Sequence, residues 1–216
     1  MPSRQNIDRP EAAVAVAKQY LRRERPLSAL IVVLVVSLFV GTYLATSLLP
    51  AVLVGVVLLT VVRVPIVQYW GTVQLQTDAD VDTVRQSFTG PTPPVLVFQW
   101  GVADEVTTRG STVTYRISYL FGLRSVELTV QTETTIKQNE SHHVELTLTA
   151  NEQPWSTYTV TIDRQNGQTI VNYEYTSNRR FGLRRVPQRL IAQRYRNKAL
   201  SEQGYTVVEC DDQYGI

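Results

Sequence analysis

At 216 residues and a formal net charge of +2, the chain holds one ordinary domain once its apolar runs are set aside. Its single cysteine, Cys210, excludes an intramolecular disulfide and a cysteine-based zinc site. Charge is laid out in blocks: residues 1–26 and 179–216 are basic, and residues 71–178 are acidic.

Residues 1–26 are read as a cytoplasmic N-terminal segment. From Glu11 to Arg25 an acidic start and a basic end suit the helix dipole, and Pro10 suits the first turn, so this part can form a short interfacial helix. Residues 27–67 read as a two-helix transmembrane hairpin. Leu27 to Thr46 is free of charge, Ser47 to Pro50 offers a turn, and Ala51 to Val67 is a second apolar run ending at Arg63 and Pro65. Tyr69 and Trp70 follow where an aromatic belt is expected, and the positive-inside rule puts both termini in the cytoplasm. The expected location is the cell membrane, multi-pass, with the lipid bilayer as a partner.

After Gly71 the pattern turns to alternation. Thr72 to Thr77 reads as a strand, and Asp78, Asp80 and Asp82 precede a short helix carrying Val81, Val84 and Phe88. Val95 to Trp100 reads as an apolar strand. Five strands with period-two alternation follow, centred on Val113 to Tyr119, Val126 to Val130, Val144 to Ala150, Tyr158 to Ile162 and Val171 to Tyr175. Asn166-Gly167 is a hairpin signal between the last two. A helix is expected from Val186 to Gln203, stopped by Gly204, with a tail over 211–216. The fold class is α+β: a curved antiparallel sheet of about seven strands packed on a long C-terminal helix, behind the hairpin.

This order of elements resembles the helix-grip fold of the SRPBCC superfamily, which includes START-like lipid carriers and polyketide cyclase-like proteins, over residues 71–210. The resemblance rests on element order and on Thr72 to Phe88 rather than on a diagnostic motif. It implies a hydrophobic cavity between the sheet and the C-terminal helix, holding a lipid or another hydrophobic small molecule. The residues it would place there are Tyr115, Ile117, Tyr119, Tyr158, Val160, Tyr173, Tyr175 and Leu190. Arg194 either meets an acidic group of the ligand or lies on a solvated helix face.

The tetrapeptide Phe121-Gly122-Leu123-Arg124 recurs as Phe181-Gly182-Leu183-Arg184. In a meander both copies fall at one end of the sheet, gathering Phe121, Leu123, Trp155, Phe181 and Leu183 beside Arg124, Arg179, Arg180, Arg184 and Arg185. These form a membrane-proximal cavity mouth, or they cap the core.

The aspartates at 78, 80 and 82 lack the glycine and glutamate of a calcium loop and are read as helix caps. His142 and His143, adjacent on a strand, point to opposite faces and cannot share a metal. No catalytic motif, metal or cofactor site stands out, and the basic C-terminal residues lack a stacking platform for nucleic acid. Three functions remain: a membrane-anchored binding module, a cyclase- or hydrolase-like enzyme using the same cavity, and a structural or partner-binding domain.

Overall fold

The structure is a computed structural model that describes residues 9–119, 123–136, 142–182 and 186–215. Helix α1 (Glu11–Ala45) leads into α2 (Leu48–Arg63), then strand β1 (Gln68–Thr77) and helix α3 (Val81–Thr89). A 3-10 turn (Pro94–Leu96) and the short α4 (Val97–Trp100) precede β2 (Glu105–Arg109), β3 (Thr112–Tyr119), β4 (Arg124–Ile136), β5 (His142–Ala150), β6 (Gln153–Gln165) and β7 (Gln168–Ser177). Helix α5 (Val186–Ser201) and strand β8 (Thr206–Gly215) complete the chain.

Among the described residues the strands form one eight-stranded antiparallel sheet, ordered β2-β3-β4-β5-β6-β7-β1-β8. The alternation in the sequence becomes one buried face: Val73 and Leu75 on β1, Leu146 and Leu148 on β5, Val160 and Ile162 on β6, and Val171 and Tyr173 on β7. Asn166 and Gly167 take positive φ angles of 51° and 85° and close the β6–β7 hairpin as expected. Asp80 caps α3, its carboxylate accepting from the Thr83 amide at 2.9 Å and from the Thr83 hydroxyl at 2.6 Å.

The α+β class holds, with eight strands where about seven were expected. The transmembrane hairpin does not hold. Among the described residues no helix is long and apolar enough to cross a membrane. Helix α2, with 16 residues, spans about 24 Å at 1.5 Å per residue, short of a hydrocarbon core of about 30 Å. The multi-pass location with both termini in the cytoplasm, and the bilayer as a partner, lose their basis with it. The hairpin itself is real. Its helices pack where Ala51 is buried and where Gly55 admits the Phe39 ring, a Cβ at Gly55 lying only 3.0 Å from Phe39 Cδ2. Many of its apolar side chains, Leu44 and Leu49 among them, are exposed.

Four further elements differ from the sequence reading. The first turns of α1 are core, with Ala13, Val16 and Ala17 buried and Tyr20 against Phe98 and Tyr195 at ring distances of 4.6 and 5.9 Å. Arg9 ties this end down by donating to the carbonyls of Trp100 and Ala103, at 3.1 and 2.8 Å. Tyr69 and Trp70, expected in an aromatic belt, lie in β1.

Val95 to Trp100 is helical rather than a strand. Proline at the first position of the 3-10 turn suits a helical start, and the Trp100 indole donates back to Pro93 O at 2.8 Å. Residues 206–215, in place of a tail, form β8, which pairs with β1.

Candidate functional site

The adjacent strands β6 and β7 set paired side chains on the buried face: Ser156 opposite Ser177, Tyr158 opposite Tyr175, Val160 opposite Tyr173 and Ile162 opposite Val171. Read in that order, the pairs run from a polar rim through an aromatic middle to an aliphatic floor. The three tyrosine rings pack on one another with centroids 6.1 to 6.5 Å apart. Helix α5 does not close onto this ladder. It rests on α1, on the edge strand β8 and on the 3-10 turn. A cavity of about 220 Å³ remains between them.

Val95, Phe98 and Gln99 wall the cavity on one side, and Ala192, Gln193 and Arg196 of α5 on another. Trp155 and Phe181 stand at its rim, edge to face with centroids 5.8 Å apart. Phe181 is fixed by reciprocal backbone bonds with Val67, and Arg179 lies over the Trp155 ring at 5.5 Å.

The electrostatic centre is Arg196. Its Nη2 lies 2.9 Å from Cys210 Sγ and 3.4 and 3.5 Å from the two carboxylate oxygens of Asp212, and its guanidinium sits 5.9 Å from the Tyr175 ring centroid. Burial opposes the Arg196 charge, and the facing Asp212 carboxylate offsets it, so the guanidinium stays protonated. Tyr175 donates its hydroxyl to Asp212 Oδ1 at 2.5 Å.

That bond reaches across β1 because the intervening residue is Gly71, paired with Tyr175 on one side and Asp212 on the other. A Cβ there would lie 2.5 Å from Asp211 O and 2.9 Å from Tyr175 Oη. Burial pushes the Tyr173 phenol above its ordinary range, so it stays a neutral hydroxyl.

Four polar atoms of these residues expose almost no surface and have no hydrogen-bond partner among the described residues: Tyr173 Oη, Ser156 Oγ, Gln99 Oε1 and Arg196 Nε. Each of the four residues lines the cavity.

Of the residues proposed from sequence, Tyr158, Tyr173, Tyr175, Trp155 and Phe181 line this cavity. Tyr115 is buried in the core, donating to Pro91 O at 2.9 Å, and Val160 is buried beneath the ladder. Ile117 is partly buried against the core, and Tyr119 is exposed. Arg194 is exposed, and the arginine beside the cavity is Arg196, two positions on. Leu123, Arg124 and Arg180 are exposed. Phe121, Leu183, Arg184, Arg185 and the side chain of Leu190 lie outside the described residues.

Sequence reasoning missed Ser156, Gln99, Cys210 and Asp212. Ser156 carried a signal, since it shares the inward phase of Tyr158 and Val160. Among the described residues no group of three His, Cys, Asp or Glu is placed to hold a metal ion.

No protein-family model matches the chain, and no curated protein matches its sequence. Solved structures that resemble it include Mll3558 from Rhizobium loti, 20% identical with a TM-score of 0.41 over 63% of this chain and 98% of that one. Protein Ms6760 from Mycobacterium smegmatis is 17% identical, with a TM-score of 0.40 over 62% and 87%. A START superfamily protein from Mycobacterium smegmatis is 9% identical, with a TM-score of 0.41 over 63% and 97%. At these scores the likenesses carry no argument about family or activity.

Proposed function

We propose that the chain is a binding module for a compact hydrophobic ligand, held between the tyrosine ladder of β6 and β7 and helix α5 in a helix-grip arrangement like that of the SRPBCC superfamily. The observation that carries the reading is the cavity of about 220 Å³ left where α5 stands off the sheet, with Tyr158, Tyr173, Tyr175, Trp155, Phe98 and Phe181 around it. An apolar cavity of about 150 Å³ is enough to hold benzene, so this one has room for a two-ring aromatic. It falls below the roughly 300–1,000 Å³ of pockets for drug-sized ligands, so a long acyl chain would leave most of its length outside. Strand β8, following the helix and pairing with β1, is an addition to the element order that motivated the resemblance.

A cyclase- or hydrolase-like enzyme is the second reading, favoured by the ionisable Arg196 and Asp212 beside the cavity. Against it, the Asp212 carboxylate already accepts from Tyr175 and faces Arg196, so its oxygens are engaged within the protein.

Calorimetry tests the binding reading, with the full chain injected into dilute naphthalene. Saturable one-to-one binding is expected. It should be lost in Ala192→Phe, whose ring fills the cavity, with the circular dichroism spectrum unchanged. Absence of saturable binding, or undiminished binding by that variant, refutes the reading.

A further inference from the structure

The hairpin of α1 and α2 takes no part in the cavity, and its surface is unlike that of the domain. Helix α1, 35 residues and about 52 Å long, has its first turns in the core, whereas α2 packs along α1 and makes no comparable contact with the sheet among the described residues. The two helices meet on a narrow seam. Ile31, Val35 and Phe39 are half-buried on α1, and Ala51 and Gly55 are buried on α2. Outside that seam nineteen large apolar side chains between Leu30 and Val64 are 36% to 78% exposed.

Their area decides what kind of surface this is. A fully exposed aliphatic side chain offers about 100 Å² of apolar surface, so nineteen at roughly half exposure present on the order of 1,000 Å². The largest apolar patch of a typical monomer is only about 300–600 Å². A stable protein interface takes about 800 Å² from each partner, so one hairpin carries enough for a dimer.

The same surface names its partner. No charged residue lies between Leu30 and Val62, so two copies brought face to face meet no like charge and bury no unpaired one. A two-fold interface needs one self-complementary patch, and this face meets that condition. Leu30, Leu34, Leu38 and Gly41 follow at helical spacing along one side of α1, and all four are exposed. A Cβ at Gly41 would meet nothing within 4 Å, which leaves open space where a leucine of the opposing helix can lie against the backbone.

We infer that the hairpin is the surface by which this chain pairs with a second copy of itself, the two hairpins packing as a four-helix bundle along the Leu30, Leu34, Leu38 and Gly41 side of α1.

Sedimentation velocity of the full chain at micromolar concentration, in buffer without detergent, tests this. Twice the mass of one chain is expected. Leu34→Glu combined with Gly41→Glu leaves the seam between α1 and α2 untouched, and it should weaken the pairing at least about 100-fold with the circular dichroism spectrum and naphthalene binding unchanged. Val36→Glu, about 200° round the helix from Leu34, should keep the pair. Sedimentation of the unaltered chain as a monomer overturns the inference, and so does a double variant that pairs as before. Flotation of the chain with vesicles of phosphatidylcholine and phosphatidylglycerol overturns it in favour of a lipid surface.

Discussion

Replacing Asp212 by alanine strips the buried Arg196 guanidinium of its counter-charge and the Tyr175 hydroxyl of its acceptor. The side chains of Arg196 and Asp212 are only 16% and 10% exposed, so water does not readily take over. Removing one partner of a buried ion pair is destabilising by about 3–5 kcal/mol. The contacts here, at 3.4 and 3.5 Å, are longer than those of a well-formed charged hydrogen bond, which places the expectation near the lower end, about 3 kcal/mol. The double variant Arg196→Met with Asp212→Ala removes both charges and should recover much of the loss, by at least about 1.5 kcal/mol relative to additivity. Urea unfolding followed by tryptophan fluorescence measures this, since Trp100 is fully buried. A loss below about 0.5 kcal/mol in Asp212→Ala, or strict additivity in the double variant, refutes the claim that these residues form a coupled buried pair.

Gly71→Ala should push β8 from β1 and break the bond between Tyr175 and Asp212, because the added Cβ meets the Asp211 carbonyl, which cannot swing aside. Faster amide hydrogen exchange along β8 than in the wild type would register it, and unchanged exchange would contradict it. Tyr20→Ala should be destabilising by about 2–3 kcal/mol, by loss of ring contacts to Phe98 and Tyr195, and should also weaken naphthalene binding, since Phe98 walls the cavity. Denaturation and calorimetry read the two effects, and a purely local loss of stability would count against α1 supporting the site.

Asp80 provides a pH test. Its bonds to the Thr83 hydroxyl and amide hold its carboxyl below the ordinary aspartate value of 3.8. A depressed folded-state pKa means that the contribution is present above 3.8 and is lost as the pH falls through the lowered value. Asp80→Ala should therefore flatten the acid limb of the stability curve relative to wild type, and an unchanged limb would contradict the cap.

The strand core was legible because a one-faced sheet writes itself as alternation. Val144, Leu146 and Leu148 sit inward with Glu145 outward, as period two requires, and Asn166-Gly167 and Gly204 take the positive φ angles that their turns demand. The apolar N-terminal region misled. Ala13, Val16, Ala17 and Tyr20 follow the 3.6-residue period of a core-facing helix, but beside the longer apolar run after them they were read as a short interfacial helix. Val95 to Trp100 was misread because a short apolar run does not tell strand from buried helix by periodicity alone.

Arg196 was missed by phase. Tyr195, Ala199 and Leu200 are the buried positions of α5 among the described residues, and Ala192 and Arg196, four apart, turn one face to the cavity, whereas the sequence reading took its phase from Leu190 and Ile191. Cys210 and Asp212 could not be placed from sequence. They reach the site only because β8 pairs with β1, a contact between residues at least 130 positions apart.

The central claim is that ligands enter the cavity between the tyrosine ladder and α5 rather than adhere to the exposed apolar hairpin. Aromatic and methyl NMR spectra of the full chain, recorded with and without naphthalene, test it most directly. The account predicts shifts concentrated at Trp155, Tyr158, Tyr173, Tyr175 and Phe181, with Leu44 and Leu49 unmoved. Shifts confined to the hairpin leucines, with the ladder silent, would contradict it.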